Sequence, residues 1–135
     1  MNEQDLLELF EDRFVEPIFV CHIERPLADV LGSLTNTVVL SASTIEKQQQ
    51  EHPELGIDEY LRLPTILSSG LAYQHQLTRI RFVYHSSKAG HHGYQAVIKR
   101  TEDRRELFVI SFHRMRPRKI MALAGRPLII RQLYS

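Results

Sequence analysis

Apolar and polar residues alternate along three stretches in the second half of the chain. Arg79–His85 sets Ile80, Phe82 and Tyr84 against Arg79, Arg81, Val83 and His85. In residues 94–100, Tyr94, Ala96 and Ile98 alternate with Gln95, Val97 and Lys99. In residues 107–114, Phe108, Ile110 and Phe112 alternate with Leu107, Val109, Ser111 and His113. Side chains two apart share one face of a strand, so each stretch predicts a strand with an apolar row and a polar row. The charged hexapeptide 101–106 joins the last two as a hairpin, although it lacks the Asn-Gly or Asp-Gly of a tight turn. The other face then collects Arg79, Arg81, His85, Lys99, Ser111 and His113, which are cations, imidazoles and a hydroxyl with no carboxylate.

The first half changes period. Leu6, Leu7, Phe10 and Phe14 recur at helical spacing over residues 5–14, limited by Pro17. Residues 17–23 read as a strand holding Cys21 and His22, residues 26–34 as a short helix, and residues 37–41 as a β-branched strand. Ser43 with Glu46 three residues on is a capping-box pattern and predicts a helix from Thr44 to about Glu51, since Pro53 disfavours helical geometry at His52. That helix is unusual: K-Q-Q-Q-E follows Ile45 and leaves little apolar surface to anchor it. Residues 54–70 form a second helical pattern, interrupted at Pro64, and residues 127–130 read as an edge strand or interface segment. With no repeat or linker, the expectation is one domain over residues 1–135, with the three C-terminal strands as neighbours and their apolar rows facing the helices. The opposite face is expected to form the site.

Composition narrows the class. A chain of 135 residues with 43% hydrophobic and 24% charged residues can bury a core without metal or disulfide staples. One cysteine excludes an intrachain disulfide and fits a reducing compartment. No apolar run reaches membrane-span length, and the acidic start lacks a signal-peptide pattern, so no membrane association is expected. The net charge of +1 hides an asymmetry: residues 1–60 hold 13 acids against 3 bases, and residues 61–135 hold 3 against 14. A basic surface of this kind suits phosphates, while a solvated face on each half is the plainer reading.

The segments T-V-V-L-S-A-S-T-I-E-K-Q-Q-Q-E-H-P-E-L, Y-L-R-L-P-T-I-L, R-F-V-Y, Y-Q-A-V-I-K and L-F-V-I-S-F-H-R resemble the phage and polymorphic-toxin nuclease domains of the barnase–EndoU–colicin–RelE class. The likeness covers residues 37–116, leaving 1–36 and 117–135 as N- and C-terminal extensions. It implies an α+β fold, with N-terminal helices packed on one face of a small antiparallel sheet of about four strands and the site on the opposite face. It implies a cofactor-free ribonuclease with His52, Lys99, Ser111 and His113 as catalytic residues. Arg79, Arg81, Tyr84, His85 and Arg114 are the expected substrate-binding set. It also implies RNA as substrate, a cognate antitoxin or immunity protein as partner, and action in a cytoplasm, native or that of a target cell. A homodimer is a further expectation, as is the acidic N-terminal region as an intramolecular or intersubunit lid over the basic cleft.

The chemistry is consistent with those residue types. Metal-free RNA cleavage uses the substrate's 2′-hydroxyl as nucleophile and needs a base, an acid and cations around the phosphorane. Histidine titrates near neutrality and can serve as either proton carrier. Lys99 and Arg81 are candidates for the non-bridging oxygens, and Ser111 for a phosphate hydrogen bond. Tyr84 or Tyr94 could stack on a base, but both lie in apolar rows, where core packing is the simpler role. A zinc site built from Cys21, His85, His91 and His92 lacks a ligand spacing. No G-x-S-x-G elbow supports a serine hydrolase. The serious alternative is a non-catalytic domain that grips RNA, or an acidic protein surface, with the same basic face.

Overall fold

A computed structural model describes residues 1–11, 16–86, 92–123 and 129–131. Its helices are α1 (Glu3–Glu11), α2 (Arg25–Val30), α3 (Ala42–Glu51), α4 (Ile57–Tyr60), α5 (Leu63–Ser69) and α6 (Pro117–Leu123). Its strands are β1 (Ile18–His22), β2 (Thr37–Leu40), β3 (Leu71–Gln76), β4 (Arg79–His85), β5 (Gly93–Arg100), β6 (Leu107–Met115) and β7 (Ile129–Arg131). The strands form one seven-stranded sheet in the order β1-β2-β6-β5-β4-β3-β7. Every pairing is antiparallel except β2 beside β6. The class is therefore α+β: β4, β5 and β6 are the antiparallel strands expected from the alternation, and β3 completes the central four-stranded unit of the sheet. Three flanking strands extend it at both edges. The expected helix over residues 5–14 is seen as far as Glu11, the rest of that range lying outside the described residues, as do residues 127 and 128 of the C-terminal segment.

The helix face of the sheet carries the main core. Ile80, Phe82, Tyr94, Ala96, Ile98 and Phe112 pack there with Leu6 and Leu9 of α1, Tyr60 of α4, and Leu63, Ile66 and Leu67 of α5, all essentially inaccessible. The acidic N-terminal helix is thus built into this layer, against α3 and α4, and does not lie over the other face as a lid. Strand β3 escapes sequence reading because both its faces are covered: Ala72 joins the main core, while Leu71 and Tyr73 pack on the far side. Where both faces are apolar the alternation disappears.

The apolar row of β6 does not run as the sequence predicts. Ile98 of β5 pairs with Val109 but its neighbour Val97 pairs with Ser111, so Ile110 is an extra residue, a β-bulge. A bulge reverses side-chain parity along its strand. Leu107, Val109 and Phe112 therefore enter the main core, while Phe108 joins Ser111 and His113 on the far face.

Two further elements frame that far face. Helix α6 covers one corner, its Ile120 packing on Leu71, Tyr73 and Val83, with Met115 and Leu123 alongside. Gly93 allows this approach, since a Cβ there would stand 2.6 Å from Ile120 Cδ1. The other element is α3. Strand β2 pairs with β6 only at Leu107 and Phe108, and α3 takes over along the remaining edge. Its Gln48, 1% exposed, bonds through its amide to both Phe112 N–H and Phe112 C=O, as a neighbouring strand would. Lys47 Nζ donates to Ile110 C=O at 3.1 Å. The anchor that α3 lacks in apolar residues is a buried amide. The helix begins two residues earlier than predicted, with Ser41 as its cap accepting from Thr44 N–H at 3.3 Å. No helix among the described residues is long and apolar enough to cross a membrane.

Candidate functional site

The edge placement of α3 delivers His52. This residue caps the helix C-terminus, and its ring stacks on that of His113 with centroids 5.3 Å apart and planes 30° apart. The two imidazoles are 61 positions apart in sequence and belong to different elements. His52 Nδ1 lies 3.5 Å from Glu54 Oε1, with the imidazole 30% exposed. His113 is held from both ends: Nδ1 is 2.8 Å from Arg114 C=O, and Nε2 is 2.9 Å from Gln95 Nε2. A neutral ring with its proton on Nδ1 donates to the carbonyl and accepts from the Gln95 amide. Turning the Gln95 amide over would let the protonated ring donate at both ends.

The strand register fixes what lies around the pair. On the far face β5 and β6 place Gln95 opposite His113, Val97 opposite Ser111, and Lys99 opposite Phe108. Ser111 is therefore the same-face neighbour of His113. Lys99 is four residues from Gln95, about 13 Å along the strand, so it sits well away from the imidazoles on the same face. There a cavity of about 550 Å³ opens between Lys99, Phe108 and Ile110 on the sheet and Ser41, Ser43 and Thr44 at the start of α3. The cavity thus belongs to the Lys99 end, where α3 begins, and the imidazoles lie at the other end of α3 along the same edge of β6.

Arg79 and Arg81 lie on the same face, opposite Lys99 and Val97, but on β4, one strand further from His113. The Arg81 guanidinium turns away from the imidazoles, donating to Tyr73 Oη at 3.2 Å and lying 5.6 Å over the Tyr73 ring. His75, at a bulge in β3, lies in the field of both arginines. Burial first, then the charges of Arg81 and Arg79, push its pKa below the usual histidine value.

Two expected site residues fall on the other face. Tyr84 is on the helix face, packed against the main core, so its apolar-row parity outweighs any contact with substrate. Arg114 is drawn to the same face by the strand alternation, where its Nε and Nη2 bind Glu59 Oε2 and Oε1 at 2.9 and 2.6 Å. His85 stays on the far face, exposed at the end of β4 opposite Gly93 and one row past Val83 and Gln95, on the side of the His113 row away from Arg81. Conversely, Gln95 and Glu54 contact the imidazoles and Gln48 fixes α3 beside β6, three residues that the sequence pattern does not mark as site residues. Gln95 carried a signal, since it shares the parity of Lys99. Glu54 follows His52 by two residues but reads as one acid among many.

Among the described residues no group of three His, Cys, Asp or Glu is arranged to hold a metal ion, and His91 lies outside them. Comparisons with protein-family models, curated proteins and solved structures returned no match.

Proposed function

We propose that this chain is a metal-independent endoribonuclease of the barnase–EndoU–colicin–RelE class, acting on single-stranded RNA in the groove beside α3. The observation that carries this reading is the stacked pair of His52 and His113 on the cationic face. His52, with its Nδ1 toward Glu54, is the general base, since a carboxylate on one ring nitrogen leaves the other to take a proton. The 2′-oxygen attacks phosphorus as His52 removes its proton. The P–O5′ bond breaks as protonated His113 gives its proton to the departing oxygen, with Gln95 moving aside. Products are a 2′,3′-cyclic phosphate and a 5′-hydroxyl. Ser111 hydrogen-bonds the phosphate, and Lys99 attracts the strand at the groove's other end. As a toxin-like enzyme it would act in a cytoplasm and be restrained by a cognate immunity protein.

The test is cleavage of a single-stranded RNA in EDTA, with products resolved by their termini. Expected are cyclic-phosphate ends, and a loss of at least about 10²-fold in rate for His52→Ala and for His113→Ala, as removal of a general acid or base costs. A second reading has one observation in its favour: both ring nitrogens of His113 are already hydrogen-bonded, as in a structural histidine. Under that reading the face binds RNA without cutting it. RNA binding with no cleavage at any pH between 5 and 9, in roughly the range where imidazoles titrate, would favour it over the enzyme.

A further inference from the structure

Buried polar atoms require a partner. Arg79, Arg81 and His75 are half-buried, and Arg79 Nε, Arg81 Nε and His75 Nδ1 are inaccessible and make no hydrogen bond among the described residues. Their side chains gather on the far face of β3 and β4, beside the rim of Tyr73. The ion pairs of the described residues join Arg25 to Asp29, His52 to Glu54 and Arg114 to Glu59, and none reaches this cluster. Sheet pairing forces the arrangement: Arg79 and Arg81 are same-face neighbours on β4, and the β3 bulge brings His75 alongside. Leaving such donors desolvated and unpaired is costly, and an anion with several acceptor oxygens offsets that cost.

We propose that His75, Arg79 and Arg81 form a phosphate-binding subsite that holds a second phosphodiester of the RNA strand whose scissile phosphate lies at His52 and His113. This rests on RNA being the substrate, but not on its being cut. Strand β4 is two strands, about 10 Å, from β6, and Arg81 and Arg79 stand two and four residues, about 7 and 13 Å, along the sheet from the His113 row. The arginines therefore lie roughly 12–16 Å from the imidazoles, with His75 one strand further, within reach of another phosphate of the same RNA strand. The Arg81 guanidinium, braced on Tyr73 away from the paired histidines, is placed for this second phosphate and not for the scissile one. The protein therefore prefers substrates with at least two phosphodiesters.

The test uses the full chain and a fluorescent 2′-O-methyl RNA hexamer, which cannot be cleaved, so that binding is read independently of catalysis. Two cations on phosphates contribute about 1.4 to the slope of log affinity against log salt for a single strand. The double variant Arg79→Gln/Arg81→Gln should lose that increment and bind roughly 25-fold more weakly at 0.1 M salt, taking the two lines to meet at 1 M. Arg79→Gln alone, which leaves the Arg81–Tyr73 contact in place, should lose half the slope change and covers the case in which the double variant fails to fold. Equal slopes and affinities in folded variants and wild type overturn the subsite. A parallel titration with inorganic phosphate, followed at the His75 ring proton by NMR, separates ligand sources. A His75 response lost in Arg79→Gln, with no hexamer binding, keeps the phosphate site and removes RNA as its ligand. No His75 response and no hexamer effect remove both. Hexamer binding with the expected slope change but no cleavage of ordinary RNA sustains the subsite and refutes the nuclease.

Discussion

Glu59 illustrates how one carboxylate decides the fate of three neighbours. It is 6% exposed on the helix face, accepts two bonds from Arg114, and accepts from Tyr94 Oη at 2.6 Å. Arg62 Nη1 in turn donates to Tyr94 Oη at 2.8 Å. Burial pushes the Glu59 carboxyl up, but the bonds from Arg114, Tyr94 and the Gly56 N–H, with the Arg114 charge, outweigh it and bring the pKa down to about 2. Tyr94 moves the other way, pushed up to about 12 by burial and by its bond to the Glu59 carboxylate. A carboxyl depressed from 4.5 to about 2 stabilises the fold fully above pH 4.5 and loses that contribution as pH falls through 2. The corresponding stabilisation is about 3 kcal/mol. Glu59→Gln should therefore lower stability by that order at pH 7, and the gap from wild type in urea titrations should close between pH 4.5 and pH 2. A gap that stays constant over that interval would show that the charge is not what matters. The Arg114 side chain is consumed by this network, which is why a cation next to His113 in sequence is absent from the groove.

At the scale of the element, α3 is the device on which the site depends. A ten-residue helix with Ile45 and Gln48 as its buried residues would be poorly anchored by apolar contact. The Gln48 amide compensates by completing the hydrogen bonds of Phe112 at the unpaired edge of β6. Replacing it with leucine leaves a buried N–H and C=O without partners, at about 1–3 kcal/mol each. Gln48→Leu should thus melt well below wild type. At temperatures where it remains folded, it should lose cleavage while keeping its affinity for the uncleavable hexamer, because His52 is released from His113 but the arginines are untouched. Parallel loss of binding and cleavage would mean that the helix shapes the whole face. The element scale also shows where sequence reading stops. The parity of β4 and β5 was legible, and with it the far-face positions of Arg79, Arg81, Gln95 and Lys99. The bulge at Ile110 was not, because no glycine or proline marks it. His113 and Ser111 keep their expected face because they follow the bulge together with Phe112, whereas Phe108, before it, changes sides. The contact of His52 with His113 depends on α3 lying along a strand edge, and that follows from one glutamine among three.

Across the whole molecule the charge asymmetry becomes a spatial one. The acidic first half supplies α1 in the helix layer, and the basic second half supplies the far face with Arg79, Arg81 and Lys99. The polarity has two distinct effects on an RNA ligand, and ionic strength separates them. Cations that touch phosphates release counterions, giving about 0.7 of log–log salt slope per contact for a single strand, so three such contacts predict a slope near −2. Distant acids act only through the field, which is screened beyond about 8–10 Å at physiological ionic strength. Glu3 and Glu8, exposed on α1, belong to the second group. Neutralising both to glutamine should strengthen hexamer binding slightly at 20 mM salt and leave it unchanged at 0.5 M, with the slope shifted by much less than one contact. Removing α1 outright is not an equivalent experiment, because Leu6 and Leu9 are core residues and their loss costs folding free energy on the scale of several large-to-small substitutions. If the two charge changes instead altered binding equally at low and high salt, α1 would have to touch the ligand, and the RNA path would then run over the helix layer and not across the sheet.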